Sequence, residues 1–214
     1  RRTIELVDGR IPVIAGTGSN STAESIHQTQ EAERLGADAC LLVTPYYNRP
    51  TQEGQFQHYR AIAEVTEIPL VLYNVPPRTA CDMKPETVAR LAEFDSIVGI
   101  KEACGDPERV AEIRALVPEA FIVLSGEDAQ TLRMMELGAV GTISVTANVM
   151  PRLMSEFCDA FLAGDVERAR EIDALLQPLH RMLFVDRGIR LPLIELSGPH
   201  REPLRQLLKE LGAL

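Results

Sequence analysis

The sequence has no tryptophan and only four cysteines in 214 residues. Those cysteines (Cys40, Cys81, Cys104, Cys158) lie far apart and form no C-x-x-C pair. That excludes a disulfide framework or a zinc ribbon and fits the reduced thiols of a cytoplasmic protein. An excess of positive charge is also missing. Lys+Arg number 22 against 31 Asp+Glu, a net charge of -9, which argues against nucleic acid or an anionic membrane surface as partner. No run approaches the roughly 18 apolar residues of a membrane span, and no signal-peptide pattern opens the sequence. The four histidines lack ligand spacing, so no catalytic metal is expected. The first glycine turn, Gly16-Thr17-Gly18-Ser19-Asn20, completes neither G-x-G-x-x-G nor a GK[ST] ending. What remains is a chain 45% hydrophobic and 25% charged, an ordinary globular composition with core enough for a barrel.

Short apolar runs alternate with helical patterns along this chain. Expected strands are residues 11–16, 39–44, 69–73, 96–102, 121–125 and 140–145. Residues 1–10 form the tail of a helix. Further helices are expected from a Ser21-x-x-Glu24 capping box to Leu35, from Thr51 to Val65, from Pro85, from an Asp106 cap, and from Asp128 to Leu137. Helical patterns at 151–162, 166–184 and 201–211 close the chain. This alternation predicts an α/β fold with a parallel sheet covered by helices. The candidates are an open doubly wound sheet and a closed (β/α)8 barrel. Polar residues gather just after the strands, where a barrel places its site, so the barrel is preferred, with about six of its eight strand–helix units in this sequence.

Lysine is scarce: only Lys84, Lys101 and Lys209. Lys101 ends the apolar run Ser96-Ile97-Val98-Gly99-Ile100. Burial there would lower its pKa and make it a nucleophile towards carbonyls. A strand-end lysine paired with a carboxylate is the plain alternative. Tyr73 would end the neighbouring strand, where a phenol could relay protons, and Arg78 at the same mouth could clamp a carboxylate. Tyr46-Tyr47 between Pro45 and Pro50 reads as a placed phenol, an interface anchor or a packed loop. Thr17–Asn20 could cradle an anion but reads better as a tight turn. Cys104 reads as a packed small side chain rather than a reactive thiol.

Several runs together carry a resemblance. They are Val43-Thr44-Pro45-Tyr46-Tyr47-Asn48-Arg49-Pro50, Leu72-Tyr73-Asn74-Val75-Pro76 with Arg78-Thr79, Gly99-Ile100-Lys101-Glu102-Ala103, Leu124-Ser125-Gly126 and Ile143-Ser144-Val145-Thr146-Ala147-Asn148. Over nearly the whole chain the sequence resembles the dihydrodipicolinate synthases, class I pyruvate-dependent aldolases. The resemblance implies a (β/α)8 barrel with C-terminal helices in a homotetramer built as a dimer of dimers. It implies condensation of pyruvate with L-aspartate-4-semialdehyde through a lysine Schiff base, without cofactor or metal, towards diaminopimelate and lysine. By similarity Lys101 forms the Schiff base, Tyr73 relays protons and Tyr47 reaches the partner's site. Arg78 binds the semialdehyde carboxylate, and Gly126 and Ile143 line the pyruvate pocket. Asn20, Glu24 and Tyr46 match positions that bind the effector lysine in regulated members. The family pattern opens with two further strand–helix units, which this sequence does not carry. It also has an Asn-Pro-Ile-Pro-Val-Lys segment where Asp186 here runs into Arg187, an apparent deletion near 186–187. Residues 1–150 are thus expected to be a partial barrel, and 151–214 its last helix and a helical region. N-acetylneuraminate lyases, keto-deoxy sugar acid aldolases and an inactive fragment are the alternatives.

Overall fold

The structure is a computed structural model that describes residues 1–185 and 196–214. The joint expected near 186–187 lies outside the described residues. In chain order the elements are α1 (Arg2–Val7), β1 (Ile14–Gly16), α2 (Thr22–Arg34), β2 (Ala39–Val43), α3 (Gln52–Ala63), β3 (Leu70–Asn74), α4 (Pro76–Thr79), α5 (Pro85–Leu91), β4 (Ile97–Glu102), α6 (Arg109–Arg114), β5 (Ile122–Ser125), α7 (Thr131–Glu136), α8 (Pro151–Leu162), α9 (Val166–Met182) and α10 (Gly198–Glu210). Single 3-10 turns sit at Asp128–Gln130 and Thr146–Asn148.

The strands are parallel and pair in simple sequential order, β1-β2-β3-β4-β5. A doubly wound sheet reverses its order at a switch point. None occurs among these five strands, so the sheet is an arc of a (β/α)8 barrel. The expected sixth strand, 140–145, is cut short. Val140 N donates to Val123 O at 2.9 Å, and Ile143 N to Ser125 O at 3.0 Å, but among the described residues the only bridge is Ser125 to Thr142. Just beyond it Asp128 Oδ2 accepts from the N–H groups of Val145 and Thr146, each at 2.9 Å, at the start of the 3-10 turn.

Local chemistry sets most helix starts where the sequence puts them. Ser21 Oγ accepts from Glu24 N, and Thr51 Oγ1 accepts from Gly54 N at the head of α3. The capping box closes on one side only, because the Glu24 carboxylate accepts from Ser19 Oγ at 2.5 Å instead of turning back to Ser21. Asp106 does not cap α6 directly. Its Oδ1 accepts from Glu108 N in a local turn, and the helix begins at Arg109. The short α4, with Pro76 and Pro77 in its first turn, was not among the expected helices.

The core runs between strands and helices: Leu42, Leu70, Leu72, Ile100 and Val123 on the sheet, with Ile62, Val88, Leu91 and Ile113 from the helices. Met154 and Phe157 of α8 join Ile172, Leu176 and Leu179 of α9 in the same cluster. Burial of each such side chain stabilises by about 1.5–3 kcal/mol. Among the described residues no helix is long and apolar enough to cross a membrane.

His58 is a buried polar exception on α3, 6% exposed. Its Nδ1 shares a 2.9 Å hydrogen bond with Thr22 Oγ1, and its Nε2 has no partner among the described residues. Burial lowers its pKa from 6.5 to about 4. Protonation therefore favours the unfolded chain: the stability His58 contributes is complete above pH 6.5 and is lost as pH falls towards 4. A shift of this size corresponds to about 3 kcal/mol. Denaturant unfolding at pH 7 and pH 4 should show a stability difference smaller by up to that amount in His58→Gln, whereas an identical difference in both proteins would contradict the assignment.

Candidate active site

Lys101 and Tyr73 are register partners at the carboxyl ends of β4 and β3. The apolar run 97–100 buries the strand, and the strand carries Lys101 in with it to 9% exposure. The ammonium carbon chain cannot snorkel far from a position this deep, so Nζ lies over the Tyr73 ring, 4.2 Å from its centroid. Burial lowers the Lys101 pKa, opposed by the carboxylates of Asp128 and Glu127. Burial likewise raises the Tyr73 phenol, with Arg78 pulling it down and Glu127 adding to the rise. The pair thus combines an amine made easier to deprotonate with a phenol that keeps its proton.

Gly126 makes room for this lysine. It follows β5, and its N–H donates to Glu102 O at 2.7 Å. A Cβ at this position would lie 2.8 Å from Lys101 Cε and 2.8 Å from Ala103 Cβ. Ile143 is half-buried beside the same strand end through its bond to Ser125 O. Arg78, on α4, is exposed to a cavity of about 410 Å³ whose wall also includes Ala103, Glu127, His180 and Arg181. Glu127 links cavity and lysine. Its carboxyl is raised by burial and by Asp128, and lowered by Arg78 and Lys101.

Of the residues expected at the mouth, Lys101, Tyr73 and Gly126 are brought together, and Arg78 and Ile143 stand beside them. Tyr47 is not: it is 87% exposed and sits in the left-handed region at φ 73°. The expected effector residues share one corner. Asn48 Nδ2 donates to Asn20 O at 2.9 Å, tying the Tyr46 loop to the turn before Glu24. Gly18 in that turn packs against the Val43 backbone, as a tight turn requires. Burial and the Glu102 carboxylate push the Cys104 thiol up to about 11, which disfavours the thiolate.

Sequence reasoning missed Glu127, Asp128 and His180. Glu127 and Asp128 follow Ser125-Gly126 in sequence, at the start of the helix expected from Asp128. His180 comes from α9, and its Nδ1 bonds Thr146 Oγ1 at 2.7 Å. Among the described residues no three His, Cys, Asp or Glu side chains group as a metal site needs.

Known proteins resemble this chain closely in sequence and in overall fold. The model of the Dihydrodipicolinate synthetase family matches residues 1–210. The chain belongs to this family. The 4-hydroxy-tetrahydrodipicolinate synthase of Stutzerimonas stutzeri is 52% identical over 231 residues, covering 100% of this chain and 79% of that protein. The synthase of Pseudomonas savastanoi pv. phaseolicola is 54% identical with the same coverage. Among solved structures, dihydrodipicolinate synthase from Thermotoga maritima superposes with a TM-score of 0.96 at 42% identity, covering 100% of this chain and 79% of that one. The chloride-inhibited synthase of Acinetobacter baumannii, solved with pyruvate, gives a TM-score of 0.95 at 47% identity, covering 99% and 78%.

The Gly126 geometry makes a direct prediction. Gly126→Ala should displace the lysine stem and slow the reaction of Lys101 with a small carbonyl compound by on the order of tenfold or more, since misplacement by about 1 Å is costly at a reacting centre. The rate of borohydride-trapped adduct formation measures this, and an unchanged rate would show that the stem does not cross Gly126.

Proposed function

We infer that this protein is a lyase that condenses pyruvate with L-aspartate-4-semialdehyde to give 4-hydroxy-tetrahydrodipicolinate, a step of lysine and diaminopimelate biosynthesis. The observation that carries this reading is the buried Lys101 amine over the Tyr73 ring, in a chain whose relatives are synthases of that name. That naming disfavours the neuraminate-lyase and sugar-acid alternatives.

The chemistry follows from the residues. The neutral Lys101 amine attacks the keto carbon of pyruvate. One proton from the amine and one from the proton relay pass to the departing oxygen as water leaves, and a protonated imine forms. Loss of a methyl proton gives the enamine, whose terminal carbon bonds to the aldehyde carbon. The new alkoxide takes up a proton. The amino group of the second substrate then closes on the imine carbon, and Lys101 leaves as free amine. Tyr73, which burial keeps protonated, is the proton relay for these steps. The covalent imine is itself the electron sink, so the scheme calls for no metal or organic cofactor.

Arg78 would bind the carboxylate of the semialdehyde, with the cavity beside it as that substrate's room. Gly126 and Ile143 would shape the pyruvate pocket. Tyr47, exposed on its strained turn, would reach the site of a second copy across a dimer interface, and the assembly would be a cytoplasmic homotetramer. Asn20, Glu24 and Tyr46 are the candidate site for lysine as effector. In this scheme residues 1–150 belong to the barrel, and 151–214 to its last helix and the helical region.

Lys101→Ala removes the covalent route and should abolish most turnover in a coupled condensation assay; near-normal activity would refute the Schiff-base assignment. Arg78→Ala should raise KM for the semialdehyde by about tenfold or more while leaving pyruvate imine formation in place, since a charged hydrogen bond is worth about 1.5–3 kcal/mol. Equal loss of both would make Arg78 structural. Mixed assemblies of Tyr47→Phe and Lys101→Ala chains should regain activity that neither has alone; no recovery would place Tyr47 outside the partner's site.

A further inference from the structure

Behind the lysine–tyrosine pair lies a second pair on the next rung of the same ladder. Tyr73 partners Lys101, and Asn74 partners Glu102. Because side chains alternate along a strand, Asn74 and Glu102 point away from the barrel interior. Both are 0% exposed. Neither lines the cavity, and neither is placed to touch a substrate.

What they hold is the segment carrying Arg78. Asn74 Oδ1 accepts from Met83 N at 3.0 Å. Its Nδ2 donates to Asp82 Oδ1 at 3.0 Å and to both Glu102 oxygens at 3.1 Å. Glu102 Oε1 also accepts from Cys104 N at 2.8 Å, fixing the chain just beyond Lys101. Arg109 of α6 closes the set, donating to Asp82 Oδ1 at 3.2 Å and to Met83 O at 3.3 Å. Asn74 therefore staples both ends of the excursion 75–82, with Arg78 between them, to the strand that bears the lysine. Within the excursion Thr79 Oγ1 bonds Val75 O and Cys81 O, tying its start to its end. Its base is the place where the spacing between Arg78 and Lys101 is set.

Building on the roles assigned above to Lys101 and Arg78, we propose that the Asn74–Glu102–Asp82 cluster is a positioning joint that sets Arg78 against the lysine-bound intermediate and so governs recognition of the carboxylate-bearing aldehyde. Imine formation needs only Lys101 and its immediate surroundings. Capture of the second substrate needs the distance that the joint maintains. A merely structural cluster would weaken both steps together.

Two variants of the full chain test this. Glu102→Gln keeps the volume but sets an amide NH2 against that of Asn74. Asp82→Ala removes the partner that Asn74 and Arg109 share, at a position whose side chain is 27% exposed, so it is the variant that folds if the first does not. Each should raise KM for L-aspartate-4-semialdehyde about tenfold, as loss of a charge-assisted hydrogen bond does. The rate of borohydride-trapped pyruvate imine should stay within about twofold of the unsubstituted chain. In an Arg78→Ala background Asp82→Ala should add nothing further, because the joint acts through Arg78. A parallel loss of trapping and aldehyde use, an unchanged KM, or full additivity with Arg78→Ala would each overturn the proposal. If the unsubstituted chain trapped no pyruvate, the Schiff-base assignment itself would fall and the joint with it, a result distinct from any failure confined to the variants.

Discussion

Desolvation of a single amine is the constraint on which the rest of this structure depends. Moving an ammonium out of water costs several kcal/mol even after the protein relaxes. The face of Tyr73 returns about 0.5–2 kcal/mol through a cation–π contact. The carboxylates of Glu127 and Asp128 favour the charged form as well, yet burial outweighs them and the Lys101 pKa still falls. The balance is a chemical setting. Fewer opposing charges would let burial lower the amine's pKa further, and more would hold it up. Gly126 belongs to the same account, since the lysine stem occupies the space where any other residue would have a Cβ.

The parallel sheet explains how one strand serves two purposes. The period of two sends Lys101 to one side and Glu102 to the other, so the chemistry and its support are adjacent in sequence but do not share solvent. Glu102 is buried, and burial raises its carboxyl, opposed by Asn74, Arg109 and the Cys104 N–H. Asp128 does comparable work after the neighbouring strand, where it takes two backbone N–H groups at the start of a 3-10 turn. In each case a buried carboxylate stabilises a turn whose geometry matters to the lysine.

Residues whose role comes from the local pattern were visible in the sequence, and residues whose role comes from convergence were not. The apolar run ending at Lys101 signalled both the strand and the buried amine, and Tyr73 and Arg78 followed from sharing a strand end. Alternation gave the parallel sheet, and the polar residues gathered after the strands favoured the barrel. Asn74, Asp82, Arg109 and His180 gave no such signal, because they arrive from different elements and meet only after folding. The left-handed backbone at Tyr47 and Arg49 was equally hidden, as nothing in a tyrosine or an arginine marks a positive φ. The short helix α4 was not expected from the sequence, and it begins on a Pro-Pro pair that suits a helix start.

The central claim is that burial singles out one amine. The chain supplies its own controls, because Lys84 and Lys209 are exposed while Lys101 is 9% exposed. The most direct measurement is to treat the protein with pyruvate and cyanoborohydride at neutral pH and map the adducts over all three lysines by peptide mass spectrometry. The account predicts one pyruvyl group, on Lys101, with Lys84 and Lys209 unmodified. Adducts spread evenly over the three, or confined to the exposed pair, would contradict it.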